Sequence, residues 1–180
     1  MKIHYMLSMR HAIVYAMNTP NIYNINNINC IASTKEHIFP KCYMTKKGFN
    51  DMHNLFKADR DINNNRSNYK FVDFNYFDKY PCDFKKISNN YISHKYKLFI
   101  PEEESRGIIS RAIMYMSYEY KYKYYKIIDT ETMIDWCLKH PPTKEEYCHN
   151  EIAFKHQYTR NKFIDMYYKK NYKKYIYSIF

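Results

Sequence analysis

The strongest constraint on the fold is a dense polar block between residues 35 and 71. In it Glu36-His37-Ile38-Phe39-Pro40 is followed by Thr45-Lys46-Lys47-Gly48 and then by Asp51-Met52-His53-Asn54-Leu55. The apolar-flanked runs on either side of the TKKG turn predict two strands of a hairpin, Glu36 to Phe39 and Met52 to Leu55. Asp59 then stands where an N-cap belongs, so a short helix is expected to start near Arg60. Asn63 and Arg66 would lie one turn apart on one face of that helix. A strand, a turn, a strand and a helix thus gather Glu36, His37, Asn54, Asn63 and Arg66 into one small neighbourhood.

The remaining residues read as support for this block. Residues 1 to about 34 suggest a weak helix or strand followed by an Asn-rich stretch that favours turns. Residues 72 to 100 are aromatic and Asn-rich without a clear period, which predicts an irregular wrap. Pro101 with Glu102, Glu103 and Glu104 marks a first helical turn, and Ile109, Ala112, Ile113, Met116 and Tyr120 follow at helical spacing. Thr130 to Leu138 predicts a second helix, ended by His140-Pro141-Pro142. Thr143 with Glu146 is a capping box opening a third, to about Tyr158. Lysine pairs alternating with tyrosine over residues 166–180 read as an amphipathic helix docked by its aromatic side, with a nucleic-acid or membrane-surface contact as the alternative. The expectation is one α+β domain over 1–180, with the polar block at 35–71, a helical scaffold at 101–165 and a basic aromatic tail at 166–180.

Charge narrows the partners. The chain carries 29 Lys+Arg against 18 Asp+Glu, a formal net charge of +11, which predicts attraction to polyanions. No run approaches the ~18 apolar residues of a membrane span. The N-terminal segment is broken by His4, Arg10 and His11 before an apolar signal region forms, so an intracellular location is expected. Cys30, Cys42, Cys82, Cys137 and Cys148 show neither a CxxC pair nor zinc-finger spacing, and free thiols are expected.

The residue types in the polar block suit phosphodiester hydrolysis. That reaction needs an activated water, neutralisation of the charge that builds at phosphorus, and stabilisation of the leaving 3′ oxygen. Imidazole, with an ordinary pKa of ~6.5, is the natural base near neutrality, and His37 takes that role. A hard divalent cation keeps several waters and takes few protein oxygens. The Glu36 carboxylate and the Asn63 amide oxygen furnish such a pair, with Mg²⁺ as first choice and Mn²⁺ as substitute. Arg66 is expected to meet phosphate, with a solvent-facing salt bridge as the competing reading. His53 reads as a buried structural histidine ahead of a second catalytic imidazole. Lys35, Lys41, Lys46 and Lys47 flank the hairpin as a cationic rim that holds phosphates without reading bases.

The order EHIxP, then NL, then NxxR resembles the HNH or His-Me finger nucleases, and the wider context resembles the endonuclease I family of non-specific nucleases. Its blocks stand here as Glu36 to Pro40, Asp51 to Leu55, Ala58-Asp59, Ile62-Asn63, Arg66 to Tyr69, Arg106 to Ala112 and Tyr115-Met116. Asn150-Glu151, Gln157 and Arg160 to Asp165 resemble the family's ending, so that the matching blocks span about residues 21 to 166. Phe56-Lys57 replaces the usual Arg-Pro, Tyr158-Thr159 follows Gln157, Lys162 replaces a proline, and the short hairpin connection offers no counterpart to an arginine near the scissile phosphate. The resemblance implies a His-Me finger core, a β-hairpin plus helix of the ββα-metal type, embedded in a mainly helical single domain. It implies a largely sequence-non-specific endonuclease cutting DNA, with RNA as a second substrate, to 5′-phosphate and 3′-hydroxyl ends. It also implies that Asn54 braces the hairpin and orients the base. The rival readings are a catalytically inactive nucleic-acid-binding or virion-structural protein on the same fold, and a membrane-surface protein.

Overall fold

The computed structural model describes residues 20–23 and 33–180. The element expected before residue 20, residues 24–30 of the Asn-rich stretch and Cys30 lie outside the described residues, and within that stretch Asn21 and Ile22 form a short strand where turns were expected. Strand β1 (Asn21–Ile22), β2 (Ser33–His37) and β3 (Leu55–Asp59) form a sheet in the order β1-β3-β2. β2 runs antiparallel to β3 with His37 opposite Leu55 and Ser33 opposite Asp59, while β1 lies parallel to β3. Helix α1 (Arg60–Arg66) follows β3 directly. As expected, Asp59 opens it, its carboxylate accepting from the N–H groups of Asp61 and Ile62.

The hairpin differs from expectation in where its strands lie. Phe39 and Met52 to Asn54 are outside the ladder, because the chain from Ile38 to Asn54 folds into three 3₁₀ turns, Lys41–Tyr43, Lys46–Gly48 and Met52–Asn54, instead of one tight turn.

The irregular wrap expected over 72–100 is also corrected. After β4 (Lys70–Phe71) come helix α2 (Phe74–Lys79) and the strands β5 (Lys85–Ile87), β6 (Asn90–Ser93) and β7 (Leu98–Ile100), in a sheet ordered β4-β7-β6-β5. Strands of three or four residues are too short to display a two-residue alternation. Their turns are marked instead by left-handed backbone at Ser88 (φ 54) and Lys97 (φ 55).

Five further helices make the scaffold: α3 (Glu103–Tyr120), α4 (Thr130–Lys139), α5 (Lys144–Gln157), α6 (Lys162–Asp165) and α7 (Tyr172–Ile179). The capping box of Thr143 and Glu146 is formed as its spacing predicts. Helix α3 is buried without a break from Ser105 to Ser117 and serves as the central post. Gly107 lets it meet the end of α4, since a Cβ there would lie 2.5 Å from the His140 carbonyl oxygen. One turn on, Arg111 donates to Glu146 through Nε (2.8 Å) and Nη2 (2.6 Å) and to the His140 carbonyl through Nη1 (2.6 Å). This buried fork ties α3, α4 and α5 together. The tail is a docked helix, as its pattern predicts: Tyr172 and Ile176 are buried, and the Tyr172 hydroxyl donates to the Phe163 carbonyl (2.6 Å). Cys42, Cys82, Cys137 and Cys148 are free thiols. Among the described residues no helix is long and apolar enough to cross a membrane.

Two buried histidines lie where the sheet meets α5. His149 Nε2 bonds the Met52 carbonyl oxygen at 2.8 Å, and its ring packs 5.2 Å from Phe56 and 6.2 Å from His53. Burial pushes the His149 imidazole down to about 4 and lowers His53 as well. In the unfolded chain a histidine takes up its proton near ~6.5, so between that pH and about 4 the unfolded state binds more protons and stability falls as pH falls. For His149 alone the expected loss is about 3 kcal/mol across that window. Urea unfolding at pH 7 and at pH 4.5 measures it, and His149→Phe should flatten the difference. A variant that loses as much on acidification as the wild type would show that the proton goes elsewhere.

Candidate active site

The site is built on the end of β2. Neighbouring strand residues face opposite sides, so Glu36 turns into the fold while His37 turns outward. Glu36 is only 3% exposed, and its Oε1 accepts from the Tyr23 hydroxyl and from Arg66 Nη1, both at 2.7 Å. Burial raises the Glu36 carboxyl above its ordinary range, against the opposing pull of Arg66 and of the Tyr23 hydroxyl. Tyr23 is itself held in place by its backbone N–H, which donates to Ser105 Oγ of α3 at 2.9 Å.

Arg66 lies beneath the site instead of at solvent, so it is not placed to meet phosphate, and the salt bridge that the competing reading expected is formed but buried, with Glu36. It is 1% exposed, Nη2 donates to the Ile38 carbonyl (3.0 Å), Nη1 also reaches the Ser67 carbonyl (3.1 Å), and the guanidinium stacks 4.3 Å from the centre of the Phe71 ring. Three residues along a helix is a 300° rotation, so Arg66 sits about 60° round from Asn63, far enough to pass under β2 while Asn63 stays at its edge. Ser67, which ends α1, takes φ 53 and ψ −120, a region that costs a non-glycine residue energy.

His37 is half-buried and its Nε2 bonds the Phe49 carbonyl oxygen at 2.9 Å. A carbonyl only accepts, so Nε2 carries the hydrogen and the neutral ring has its lone pair on Nδ1. Asn54 is fully buried; its Oδ1 accepts from the Phe39 N–H (2.7 Å) and its Nδ2 donates to the Phe39 carbonyl (3.1 Å). It clamps the chain two residues past His37 across the long connection. Asn63 Nδ2 donates to the Lys35 carbonyl at 3.3 Å, which joins α1 to β2.

Glu36, His37 and Asn63 line one open hollow of about 480 Å³, together with Lys35 and Lys41. Lys46 and Lys47 are not brought to it. They line a second hollow of about 340 Å³ with Tyr120 and Gln157, because the 3₁₀ turn that carries them leads away from β2.

Sequence reading missed Tyr23 and the role of Asp51. Asp51 is a buried hub: Oδ1 accepts from the His53 N–H and from Gln157 Nε2, both at 2.9 Å, while Oδ2 accepts from Tyr115 (3.1 Å) and Tyr120 (2.6 Å). Gln157 Oε1 in turn accepts from the Met52 N–H (3.0 Å), and His53 Nε2 bonds the Thr159 carbonyl oxygen (3.1 Å). His53 is therefore a structural histidine in the floor of the hairpin. The residues of the hub stand in the separate Asp51 and Gln157 blocks, and only the fold shows that they meet.

Of the groups that line the hollow, which also include Asn64, Ser67 and Asn68, the expected metal pair is the Glu36 carboxylate and the Asn63 amide oxygen, and no three His, Cys, Asp or Glu side chains converge on a metal position among the described residues. Two hard oxygens at an open surface, where water completes the shell, suit a small hard cation.

The family model for Endonuclease I matches residues 2–167. The extracellular ribonuclease of Bacillus subtilis (strain 168) is 26% identical over 163 residues, a match covering 79% of this chain and 54% of that protein. The chain thus spans about half the length of the curated relative that it matches. The family match runs through the hairpin, α1 and the helical scaffold that buries them, and on that ground the chain belongs to the Endonuclease I family of nucleases.

Proposed function

We propose that the protein is a metal-dependent, largely sequence-non-specific endonuclease that hydrolyses DNA, with RNA as a second substrate, to 5′-phosphate and 3′-hydroxyl ends. The observation that carries this reading is that His37, with Nε2 committed to the Phe49 carbonyl, shares one open hollow with Glu36 and Asn63. His37 Nδ1 takes a proton from water, the resulting hydroxide forms the new bond to phosphorus, and the bond from phosphorus to the 3′ oxygen breaks with its electron pair on that oxygen, which takes a proton from a second water to become the 3′-hydroxyl. The Glu36 carboxylate and the Asn63 amide oxygen would hold one Mg²⁺, or Mn²⁺ in its place. When bound, that ion supplies positive charge to the phosphate and to the leaving oxygen. Arg66 is a positioning residue that opposes the rise burial causes in the Glu36 carboxyl, and Asn54 fixes the backbone that orients His37. Lys35 and Lys41 hold flanking phosphates. The open hollow and its backbone-directed cations support sequence tolerance, and the DNA preference rests on the family likeness; the ribonuclease named above supports the RNA activity.

The test is cleavage of supercoiled plasmid and of single-stranded RNA by the purified protein, with Mg²⁺, with Mn²⁺ and with EDTA. Both substrates should be cut with either ion, DNA faster, and EDTA should abolish cutting until Mg²⁺ is restored. Undiminished cleavage in EDTA would remove the metal from the reading. Cleavage of RNA alone would reverse the substrate preference.

A further inference from the structure

The second hollow, with Lys46 and Lys47, adjoins a stretch to which the catalytic reading gives no part. Helix α3 ends at a left-handed Lys121 (φ 59), and the chain continues as Tyr122-Lys123-Tyr124-Tyr125-Lys126. Residues 120–126 contain three lysines and no acid, and residues 41–50 likewise contain three lysines, Lys41, Lys46 and Lys47, and no acid. Direct contacts make the two segments one surface. The Thr45 and Tyr122 hydroxyls are 2.9 Å apart, Lys126 Nζ lies 5.5 Å from the centre of the Tyr43 ring, and Lys47 Nζ lies 6.0 Å from that of Tyr120. Gly48 admits the Tyr122 side chain, whose hydroxyl would lie 2.8 Å from a Cβ at that position. The surface starts at Lys41, on the lip of the catalytic hollow. It includes the stacked rings of Tyr120 and Tyr122, 5.2 Å apart and 12° from parallel, and Tyr125, which is 57% exposed. Lys121, Lys123 and Lys126 are exposed beside them.

We propose that this surface is a track for a nucleic-acid strand leaving the catalytic hollow, with Lys46, Lys47, Lys121, Lys123 and Lys126 on its phosphates and Tyr125 stacked on a base. The proposal rests on the nuclease reading and names the path its substrate takes. Six lysines in the two segments outnumber the acids that flank them, the buried Asp51, whose carboxylate is taken up by Tyr115, Tyr120, His53 and Gln157, and the exposed Glu119, and form a cation strip that releases counterions from a polyanion. Aromatic rings between the lysines accept any base, because every base has a stacking face, and this suits a sequence-tolerant enzyme. An anionic lipid surface would meet the same lysines, but stable membrane docking also needs an apolar face to insert. Here Tyr120 and Tyr122 are packed on each other and against the connection, so that face is lacking.

The experiment compares Lys121→Ala/Lys123→Ala/Lys126→Ala with a control, Lys169→Ala/Lys173→Ala/Lys174→Ala, which removes the same charge around α7. Both are made in the His37→Ala background, without divalent ion. Binding of a labelled single-stranded DNA of about 30 nucleotides is followed by fluorescence anisotropy across a KCl series, and the slope of log affinity against log salt should shrink by about 2 for the track variant and much less for the control. Tyr125→Ala should weaken binding roughly fivefold or more with the slope kept. Equal losses in track and control variants would overturn the proposal, as would an unaltered slope. Loss of flotation with phosphatidylserine vesicles while DNA binding persists would assign the strip to a membrane and overturn it too. Cleavage by the unmutated protein is scored separately: binding along the track with no cutting in any divalent ion would sustain the track and overturn the nuclease reading.

Discussion

His37→Ala should lower the rate of phosphodiester cleavage roughly 10²- to 10⁴-fold, the usual contribution of a positioned general base, while leaving nucleic-acid affinity nearly intact. The ring is half-buried at the open end of β2 and bonds the Phe49 carbonyl, and a circular-dichroism melt of the variant checks that the fold survives its removal. Steady-state kinetics on plasmid and short duplexes should show the loss in kcat with little change in KM, the signature of an interaction made in the transition state. Exogenous imidazole should restore part of the rate by occupying the vacated space. A variant that cuts at the wild-type rate would move the base to another residue. A wild-type protein that binds and never cuts would favour the inactive nucleic-acid-binding reading, in which the same fold keeps the hollow without its chemistry.

Arg66→Met should cost about 3–5 kcal/mol of stability, because it leaves the Glu36 carboxylate buried without its cation. The pair is 2.7 Å apart with both side chains almost wholly enclosed. The consequence reaches activity as well. Burial already lifts the Glu36 carboxyl and Arg66 works against that lift, so without the guanidinium the carboxyl moves further up and holds a proton more tightly. A proton competes with a hard cation for the same oxygens, and the variant should need far more Mg²⁺ for half-maximal cleavage. Urea unfolding and an Mg²⁺ titration read the two effects independently. The double change Glu36→Gln/Arg66→Met should recover part of the stability and none of the metal response, since it removes both charges together. A variant as stable as the wild type would mean that water enters beside Glu36 and takes over the role of Arg66.

The same pair shows where a linear reading stops. From spacing alone, Arg66 shares a helix face with Asn63 and invites a surface role. What decides its position is that β2 passes over α1 and that Glu36 points into the gap beneath. Neither fact can be seen without the register of β2 on β3. Local chemistry was legible: Asp59 as a cap and Thr143 with Glu146 as a capping box act over three residues and appear as spelled. Glu36, His37 and Asn63 meet because β3, paired to β2, runs directly into α1 and so brings the helix back beside the end of β2. Lys46 and Lys47 went elsewhere because a run of 3₁₀ turns has no periodic signature from which its path can be read. Tyr23 was hidden for another reason. It lies at the start of an Asn-rich stretch, its backbone takes a left-handed φ of 72, and its partners Glu36 and Ser105 come from two different parts of the fold.

The hub at Asp51 has a consequence for modularity. A hairpin and one short helix look like a cassette that evolution or an engineer might lift out and graft onto another scaffold. In this chain the cassette has guy-ropes. Tyr23 steadies its carboxylate from upstream, while Gln157 and Thr159 hold Met52 and His53 from the far side of two long helices. Cutting out residues 35–71 would sever all of them at once, and the freed fragment would lose the constraints that aim its imidazole. A transplantable unit would therefore have to include at least the span from Tyr23 to Thr159, with the scaffold between them setting the geometry of the site.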